Sequence, residues 1–386
     1  MRITQIKTWL VEGIKYNWTL IKLHTDTGLT GIGEATNWPG SPLVEAACRH
    51  VAERLEGEDA TRVDYLWTKL YRDMNWLGQA GPLMSAISAV DIALWDILGK
   101  AAGLPVYRLL GGAYRQKIQL YANYWFLSGE GSPGDYANQA RRMAEQGFTA
   151  CKFDPFAHVH YFYGSDLASN LSLTEGQKQT ALDRLCAVQE ALGPGFPIAV
   201  ETHAMLNGPT AVEMAHRIAA AGIHCMWYEE PAGPEFPDEI AGIKRRIPLP
   251  VCVGERLHSR FMCRPILERN AADFLMPDIV RCGGISELRK IASMAECYNV
   301  PIAPHNPNGP VSTIASAHVA GAIPNFFRQE FMLTDVPWRD TVLDRPLPIV
   351  DGYFVLDDRP GLGFDLVESE MERHPGVRQP RAGFYI

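Results

Sequence analysis

Ionisable side chains recur at nearly even intervals through the second half of the sequence, each at or beside the end of a short apolar run. Seven runs end in this way: FTACKF with Lys152, FPIAVE with Glu201, CMWYE with Glu229, VCVGE with Glu255, ADFLMPD with Asp278, VPIAPH with His305 and NFFRQE with Glu330. From Glu201 onward the charges are 28, 26, 23, 27 and 25 residues apart, so each falls in its own strand–helix unit. Because the carboxyl ends of the strands of a parallel barrel meet at one mouth, we expect these side chains to converge there. A single acid after a strand is often only a helix cap, but seven consecutive strands that end in an ionisable group predict a functional site.

Three of these residues are glutamates on adjacent predicted strands, namely Glu201, Glu229 and Glu255. Three carboxylates at one mouth repel one another strongly, and a divalent cation removes that repulsion. The three offer only oxygen ligands, which Mg²⁺ prefers, whereas zinc more often binds histidine or cysteine. The sequence therefore predicts a Mg²⁺ site formed by these three glutamates.

Two histidines accompany the acids. His203 lies two residues after Glu201, and residues i and i+2 of a strand point to the same face, so His203 is expected to face the same mouth. His305 ends the strand that follows the one ending in Asp278, on the opposite side of the barrel. A carboxylate beside a histidine fixes the tautomer of its ring and raises its pKa, so Asp278 and His305 form a candidate general base.

The predicted secondary-structure elements that must position these residues follow one pattern in residues 1–115 and another in residues 116–345. Residues 1–115 contain strand-like runs that predict an antiparallel meander over 1–35, followed by helices over 43–56, 61–73 and 83–102, which together form an α+β module. Residues 116–345 contain eight strand-like runs, beginning with IQLYANYW, that alternate with helical stretches. That alternation predicts a closed (β/α)8 barrel. The tail, 346–386, is too short to fold alone and is expected to pack on the N-terminal module.

Composition excludes several classes of function. The chain has 386 residues, of which 47% are hydrophobic and 21% charged, which is typical of globular proteins. Its net charge of −8 disfavours a general nucleic-acid binder, and no apolar run reaches the ~20 residues that span a bilayer. The N-terminal residues alternate like a strand and lack the apolar core of a signal peptide, and the eight cysteines form no CxxC pair. We therefore expect free thiols and a cytoplasmic location, without nucleic-acid or membrane partners.

The sequence resembles members of the enolase superfamily in its mandelate racemase-like branch. The resemblance covers nearly the whole chain and rests on TDTGLTGIGEA, SAISAVDIALWDILGKAAGLPVYRLLGG, YEEP, VGER, PDIVRCGGISE, APHNP and the last strand's Glu330. It implies an α/β fold: a modified TIM barrel with an α+β N-terminal capping domain that the C-terminal tail completes. It also implies that Glu201, Glu229 and Glu255 bind Mg²⁺, although Glu201 stands where the family more often has aspartate.

The resemblance also implies the type of reaction. The superfamily shares abstraction of the proton alpha to a carboxylate, in which preplaced positive charge, including that of Lys152, meets the charge that develops. Racemases of this branch have a K-x-K motif on the second strand. This chain resembles them there but has KFD, with Asp154 in place of the second lysine. The ETH run at Glu201 resembles that of galactonate-type acid-sugar dehydratases, in which this histidine, here His203, is the general acid. A Mg²⁺-dependent dehydratase of a sugar acid, giving a 2-keto-3-deoxy acid, is therefore the leading hypothesis.

Alternatives remain open at this point. A cycloisomerase of an anhydro-sugar acid would use the same first step and expel a ring oxygen, and a racemase or epimerase or a non-catalytic binding protein would keep the same fold. The candidate substrate-binding residues are Asp154, Tyr16, Asn17, Trp18 and Trp76, together with the long connection 155–173. The resemblance further implies a homo-oligomer, either a dimer or an octamer.

Overall fold

The N-terminal module is a three-stranded antiparallel meander packed on helices. The computed structural model describes residues 1–13, 17–37, 41–126, 130–157, 172–333 and 336–377. The elements of this module are β1 (Ile3–Val11), β2 (Trp18–Thr25), β3 (Thr30–Glu34), α1 (Ser41–Ala52), α2 (Val63–Asp73), a 3₁₀ helix (Asn75–Leu77), α3 (Gly81–Ala102) and α4 (Val106–Leu109). The strands pair in the order β1-β2-β3. The predicted meander and three helices are thus confirmed, with boundaries that differ by a few residues.

Helix α3 forms the core of this module. It is long and apolar enough to cross a membrane, but 72% of its most apolar window is buried inside the protein. Strand β3 lies directly against its backbone: a Cβ atom on Gly31 would lie 2.0 Å from the carbonyl oxygen of Ala93, and one on Gly33 would lie 2.1 Å from that of Ala89. The two glycines of the TGIGEA run therefore permit the strand–helix contact.

The barrel alternates strands and helices as predicted. Its elements are β4 (Lys117–Asn123), α5 (Pro133–Ala144), β5 (Cys151–Phe153), α6 (Glu175–Leu192), β6 (Ile198–Glu201), α7 (Gly208–Ala220), β7 (Cys225–Glu229), α8 (Pro237–Lys244), β8 (Val251–Val253), α9 (Arg260–Glu268), β9 (Phe274–Leu275), α10 (Gly284–Glu296), α11 (Pro310–Ala322) and β10 (Gln329–Met332). Strands β4 to β9 pair in parallel in chain order, and β10 pairs with β4. The seventh strand position consists only of isolated bridges, in which Ile302 pairs with Leu275 and Phe326, and His305 pairs with Asp278.

The C-terminal segment contacts both modules. Its elements are β11 (Ile349–Val350), β12 (Tyr353–Val355) and α12 (Glu368–Arg373). Strand β12 pairs with residues 117–119 of β4, the half of that strand that β10 leaves open, because β10 pairs only with residues 120–123. Beyond it, Lys22 bonds to Asp365 and Lys7 to Glu368, which ties the segment to the meander. The first part of the tail therefore packs on the barrel, because β10 leaves part of β4 open there, and the rest packs on the N-terminal module as expected.

The contact between β12 and the barrel predicts a stability effect. Phe354 is 2% exposed, and its replacement by alanine should lower the free energy of unfolding by about 3–5 kcal/mol, because a buried aromatic ring is lost and a cavity remains. Val350→Ala, at a 58% exposed site on the neighbouring strand, is the matched control and should change it by less than about 0.5 kcal/mol. Urea unfolding followed by circular dichroism measures both, and equal effects would contradict the assignment of Phe354 to the core.

Candidate metal and acid–base site

Three glutamate carboxylates meet at the mouth of the barrel. Glu201 and Glu229 end β6 and β7 and stand opposite each other in the sheet register, and Glu255 follows β8 by two residues. One carboxylate oxygen from each lies within 4.8 Å of the others, and all three residues are buried. The spacing of strand ends in the sequence thus brings the three predicted ligands together.

Lys152 lies among these carboxylates. Its Nζ atom is 2.5 Å from Glu229 Oε1, 2.9 Å from Glu330 Oε1 and 3.3 Å from Glu201 Oε2, and the residue is 2% exposed. Burial alone would lower the pKa of Lys152, but the charges of these carboxylates outweigh it and hold the pKa well above its usual range. The lysine is therefore a fixed positive charge beside the triad.

The donor set fits a hard divalent cation. It consists of carboxylate oxygens, and among the described residues the buried Glu201 Oε2 accepts no hydrogen bond beyond its 3.3 Å ion pair with Lys152. Burial raises the pKa of Glu229 well above its ordinary range, and the nearby charge of Glu201 adds to the effect. A single ammonium group thus leaves the cluster short of positive charge, which is the condition that a divalent cation relieves.

Asp278 and His305 form a closely bonded pair on one side of the triad. His305 Nδ1 lies 2.8 Å from Asp278 Oδ2, and His305 Nε2 lies 3.0 Å from Glu255 Oε2. Burial alone would lower the pKa of His305, but the carboxylates of Glu330 and Glu255 and the bond to Asp278 raise it to about 9. Since Asp278 engages Nδ1, the nitrogen that faces the triad is Nε2.

Asp278 is itself held in place by two loops, the one that follows it and the one that follows His305. Asn308 Nδ2 donates to both carboxylate oxygens of Asp278, at 3.1 and 3.0 Å, and the backbone N–H of Val280 donates to Oδ1 at 3.0 Å. These residues are fully buried. The orientation of the histidine ring therefore depends on Asn308, a residue that strand-end spacing does not identify.

His203 and Asp154 form a second pair on the other side of the triad. His203 Nδ1 lies 3.0 Å from Asp154 Oδ2, and His203 Nε2 lies 4.0 Å from Glu201 Oε2. Burial lowers the pKa of His203, but the charges of Glu201 and Asp154 outweigh it and raise the pKa above its ordinary value. His203 reaches the mouth not by strand alternation but through a left-handed backbone, with φ of 48°, that lets its N–H donate to Glu201 Oε1 at 2.7 Å.

This pairing changes the interpretation of Asp154, which was predicted to bind substrate. Asp154 is 1% exposed. Its Oδ2 is hydrogen-bonded to His203 Nδ1, and its Oδ1 accepts the backbone N–H of Phe156 at 2.7 Å. The carboxylate is therefore occupied by contacts within the protein. Its observed place is behind the histidine, where it fixes the ring and its tautomer.

Glu330 connects the lysine to the base. Its Oε1 accepts a hydrogen bond from Asn123 Nδ2 at 2.6 Å in addition to the Lys152 contact, and Oε2 accepts the backbone N–H of Asn306 at 2.8 Å. His305 Nε2 lies 3.7 Å from Oε2. Glu330 thus lies between two ionisable groups that face the same mouth.

Two supporting contacts escape prediction from the sequence. Trp227, two residues before Glu229 on the same face of β7, donates its indole N–H to Glu229 Oε2 at 2.6 Å. Glu230 accepts hydrogen bonds from Gly254 N at 2.9 Å and from the guanidinium of Arg256 at 2.6 Å, so it holds the residues on both sides of Glu255. The i, i+2 spacing of Trp227 could have indicated the first contact. The second depends on the loop after β8.

Left-handed backbone conformations cluster at this mouth. Left-handed φ values occur just after three of the strands. Tyr124 directly follows β4 and has a φ of 58°, Glu230 directly follows β7 and has a φ of 47°, and His203, two residues after β6, has a φ of 48°. Such conformations are costly for residues other than glycine and persist where the surrounding structure enforces them, which occurs most often at functional sites.

The remaining predicted substrate contacts lie elsewhere or outside the described residues. Asn17 donates to the carbonyl of Val377 at 2.7 Å and accepts its N–H at 2.9 Å, so both ends of its amide anchor the C-terminal segment. Trp18 is 2% exposed and packs under the guanidinium of Arg339. Both side chains are therefore buried in contacts between segments of the chain, and their contact with a substrate stays a prediction.

Trp76, in the 3₁₀ helix, is 95% exposed, and its contact with a substrate stays a prediction. Tyr16 and residues 158–171, most of the long connection 155–173, lie outside the described residues.

Comparison with known proteins agrees with this architecture. Residues 12–111 match the model of the mandelate racemase/muconate lactonizing enzyme N-terminal domain, and residues 135–370 match the enolase C-terminal domain-like model. The chain is 33% identical to a D-xylonate dehydratase of Haloferax volcanii over 96% of this chain and 88% of the relative. It is 31% identical to a D-galactonate dehydratase of Variovorax paradoxus, over 96% and 94% of the two chains.

A solved structure gives the same result for the fold. The mandelate racemase/muconate lactonizing enzyme-like protein of Rubrobacter xylanophilus superposes with a TM-score of 0.88 at 32% identity, covering 97% of each chain. The predicted fold, a modified barrel with an α+β capping domain, is therefore confirmed. Both family models and these full-length similarities show that the chain belongs to the mandelate racemase/muconate lactonizing enzyme family of the enolase superfamily.

Proposed function

We propose that this protein is a Mg²⁺-dependent dehydratase of a sugar acid, which removes the proton alpha to the carboxylate and the β-hydroxyl to give a 2-keto-3-deoxy acid. The observation that supports it is the pair of Asp–His contacts on opposite sides of one carboxylate triad. His305 lies against Glu255, and His203 lies against Glu201. An elimination needs one base and one acid, and this arrangement offers both.

His305 is the base in this proposal. Asp278 accepts from Nδ1, so the lone pair available for the alpha proton is on Nε2, which faces the triad. Asp278 also stabilises the imidazolium that forms when the proton arrives. Asn308, which holds both oxygens of Asp278, keeps the ring from turning.

His203 is the acid. Asp154 engages Nδ1, which leaves Nε2 to donate its proton to the departing hydroxyl, so that water leaves. The raised pKa of His203, caused by the charges of Glu201 and Asp154 against the effect of burial, favours the protonated form that an acid needs. The resulting enol then becomes the keto group of the product.

Lys152 and Glu330 complete the site. Mg²⁺ is typical of this superfamily, and at Glu201, Glu229 and Glu255 it would supply positive charge for the substrate carboxylate as the alpha proton leaves. Lys152 adds a second fixed positive charge at the same place. Glu330 holds the lysine through Oε1 and remains close to His305 through Oε2.

The relatives support elimination over the alternative reactions. The two similar enzymes reported above are named D-xylonate and D-galactonate dehydratases, which makes a pentonate or hexonate the proposed substrate class. A racemase would need a base in place of Asp154, whose carboxylate is instead bonded to His203. The eight cysteines are all free, which fits the cytoplasmic location that we propose, and assembly into a homo-oligomer stays a prediction.

Removing one ligand should remove the metal. Glu229→Gln should abolish most Mg²⁺ affinity and dehydration of acid sugars while leaving the circular dichroism spectrum unchanged, because the residue lies at the barrel mouth and not among the apolar layers. Titration calorimetry with MgCl₂ measures the first effect. Glu268→Gln, an exposed acid on α9, is the control. Full activity after exhaustive EDTA treatment would disprove the requirement for a metal.

The indole of Trp227 should tune the same site. Trp227→Phe removes the donor to Glu229 Oε2 and keeps an aromatic ring, so Mg²⁺ affinity should fall by about 10-fold, since partners of ligands commonly contribute this much. Trp338→Phe deletes an indole donor that bonds to the Glu12 carbonyl, away from the triad, and should leave the affinity unchanged. Equal affinities in the two variants, measured by calorimetry, would refute the role of the indole.

The two histidines should fail at different steps. His305→Asn should abolish both turnover and exchange of the alpha proton with deuterated solvent, because no base remains. His203→Asn should stop product formation and retain exchange, because His305 can remove and return the proton. Proton NMR of a bound aldonate in D₂O measures exchange, and a keto-acid reagent measures product.

The control for this pair is His216→Asn, an exposed histidine on α7 whose ring contacts the Arg246 carbonyl. It should behave as wild type in both assays. Product formation at near-normal rate in either the His305 or the His203 variant would rule out the two-role assignment.

A further inference from the structure

Helices α10 and α11 do not cap their own N-termini. Each begins after a glycine, Gly283 or Gly309, that has no side chain to bond the free N–H groups of the first turn. Three other barrel helices use their own residues for this purpose: Ser132 for α5, Thr174 for α6 and Asn207 for α7. Another part of the molecule must therefore satisfy the first turns of α10 and α11.

Glu34 of the capping domain satisfies α11. It ends β3 and is fully buried, and its Oε1 accepts the N–H of Gly309 at 2.6 Å while Oε2 accepts that of Ser312 at 2.8 Å. Thr36 donates to Oε1 as well, at 2.6 Å. A carboxylate at this place bonds two otherwise free N–H groups and lies at the positive end of the helix dipole.

Asp91 of the capping domain bonds one N–H group in the first turn of α10. Its Oδ2 accepts the N–H of Ser286 at 2.9 Å, and the residue is 2% exposed. The neighbouring Ser88 hydroxyl accepts the N–H of Gly283 at 2.9 Å, and the Trp67 indole donates to the carbonyl of Gly283 at 2.8 Å. Three side chains from α2 and α3 thus hold the first turn of α10.

The glycines at these helix starts leave room for the two carboxylates. A Cβ atom on Gly309 would lie 2.8 Å from Glu34 Oε1, and one on Gly284 would lie 2.5 Å from Asp91 Oδ2. Both distances are shorter than any normal contact with a Cβ atom. The start of each helix is therefore shaped to admit an acid from the capping domain.

These two helices are the ones that follow the acid–base pair. Helix α11 begins directly after the His305–Gly309 loop, and Asn308 in that loop donates to both oxygens of Asp278. Helix α10 begins after the Asp278 loop, in which the Asp278 carbonyl accepts the N–H groups of Arg281 at 2.9 Å and Cys282 at 2.7 Å. A shift of the start of either helix would therefore move Asp278, the partner of His305.

We propose that Glu34 and Asp91 are positioning residues that align the Asp278–His305 base by holding the helices behind it. This inference rests on the proposed function, since it assigns these residues a part in proton abstraction. Neither acid touches the substrate, and each acts through a helix start. Small misplacements of a base lower the rate far more than they lower stability, so the effect belongs in kcat.

The test changes both acids. Glu34→Gln keeps the size of the side chain but replaces one acceptor oxygen by an NH₂ group that must face a backbone N–H, because both oxygens accept one. Asp91→Ala removes the acceptor of the Ser286 N–H; asparagine could keep that bond, because Asp91 Oδ1 has no hydrogen-bond partner among the described residues. Gly309→Ala probes the same contact from the helix side, because its φ of −76° suits alanine and the new methyl group would displace Glu34. If Glu34→Gln fails to fold, Gly309→Ala still tests the proposal.

Asp96→Asn is the matched control. Asp96 is also a buried acid of the capping domain that accepts two backbone N–H groups, from Ile32 at 3.0 Å and Leu362 at 2.8 Å. Its Oδ2 also accepts a hydrogen bond from Lys100 of α3 at 2.7 Å. Its partners thus belong to the meander, to α3 and to the C-terminal segment, not to the loops that carry the base. It should therefore lower the unfolding temperature without a specific loss of kcat.

Three readouts separate positioning from stability. The Glu34, Asp91 and Gly309 variants should lower kcat by about 10-fold or more, with unchanged KM and Mg²⁺ affinity and with a larger isotope effect for substrate deuterated at the alpha carbon. The low-field proton resonance of the His305 Nδ1–H bonded to Asp278, assigned by its loss in His305→Asn, should shift or broaden in these variants. Asp96→Asn should leave kcat, isotope effect and resonance as in wild type.

The proposal is overturned if the losses of kcat in the test variants match that of Asp96→Asn, or if the low-field resonance is unchanged in all of them. Failure of the proposed function has a different signature: wild-type protein would neither dehydrate acid sugars nor exchange their alpha proton. The resonance would then still decide whether Glu34 and Asp91 align the pair, because it requires no turnover.

Discussion

The charge balance around Lys152 is the constraint on which the rest of the site depends. Four buried carboxylates, those of Glu201, Glu229, Glu255 and Glu330, surround one ammonium group and one histidine ring. Burying charge without compensation is costly, and once His305 is neutral and able to accept a proton, Lys152 and a protonated His203, 4.0 Å from Glu201, cannot offset four acids. The barrel can hold this excess only because the strand ends fix the backbone of each residue. The site is therefore built to receive positive charge, first from a divalent cation and then from the protons that the reaction moves.

The two Asp–His pairs show how one mouth can supply opposite functions. In each pair the aspartate engages Nδ1 and leaves Nε2 facing the carboxylates, but the further partners differ. His305 Nε2 lies between Glu255 and Glu330 at 3.0 and 3.7 Å, whereas His203 Nε2 lies 4.0 Å from Glu201 Oε2. A cation bound by the triad would offset the charges of Glu255 and Glu201 and so lower the pKa of both His305 and His203, because each ring lies beside one of these ligands. The aspartate contact at Nδ1 remains in both pairs, so the two rings differ in role through the sides of the triad that they occupy.

The sequence predicted the parts of this site that depend on the regular spacing of strand ends. It did not predict the parts that depend on the conformation of loops. Even spacing of charges after apolar runs was enough to bring the three glutamates together, since strand ends in a barrel must converge. It could not assign Asp154, because that residue reaches His203 only through a left-handed turn after Glu201. Nor could it identify Asn17 as an anchor for Val377, a contact that joins residues 360 positions apart. The eight strand positions were correct, but the seventh is too short to form a continuous strand.

That short strand explains why the capping domain has to reach into the barrel. The ligand side is held by the sheet itself, since β6 and β7 pair over four registered positions that end at Glu201 and Glu229. On the base side, β9 has two residues and the next position only isolated bridges, so few ladder hydrogen bonds fix Asp278 and His305. Without other support the ends of these segments would be the least constrained part of the mouth. The acids Glu34 and Asp91, together with Trp67 and Ser88, supply hydrogen bonds from the other domain where the sheet supplies few. The docking of the two domains and the alignment of the base are, on this account, the same set of contacts.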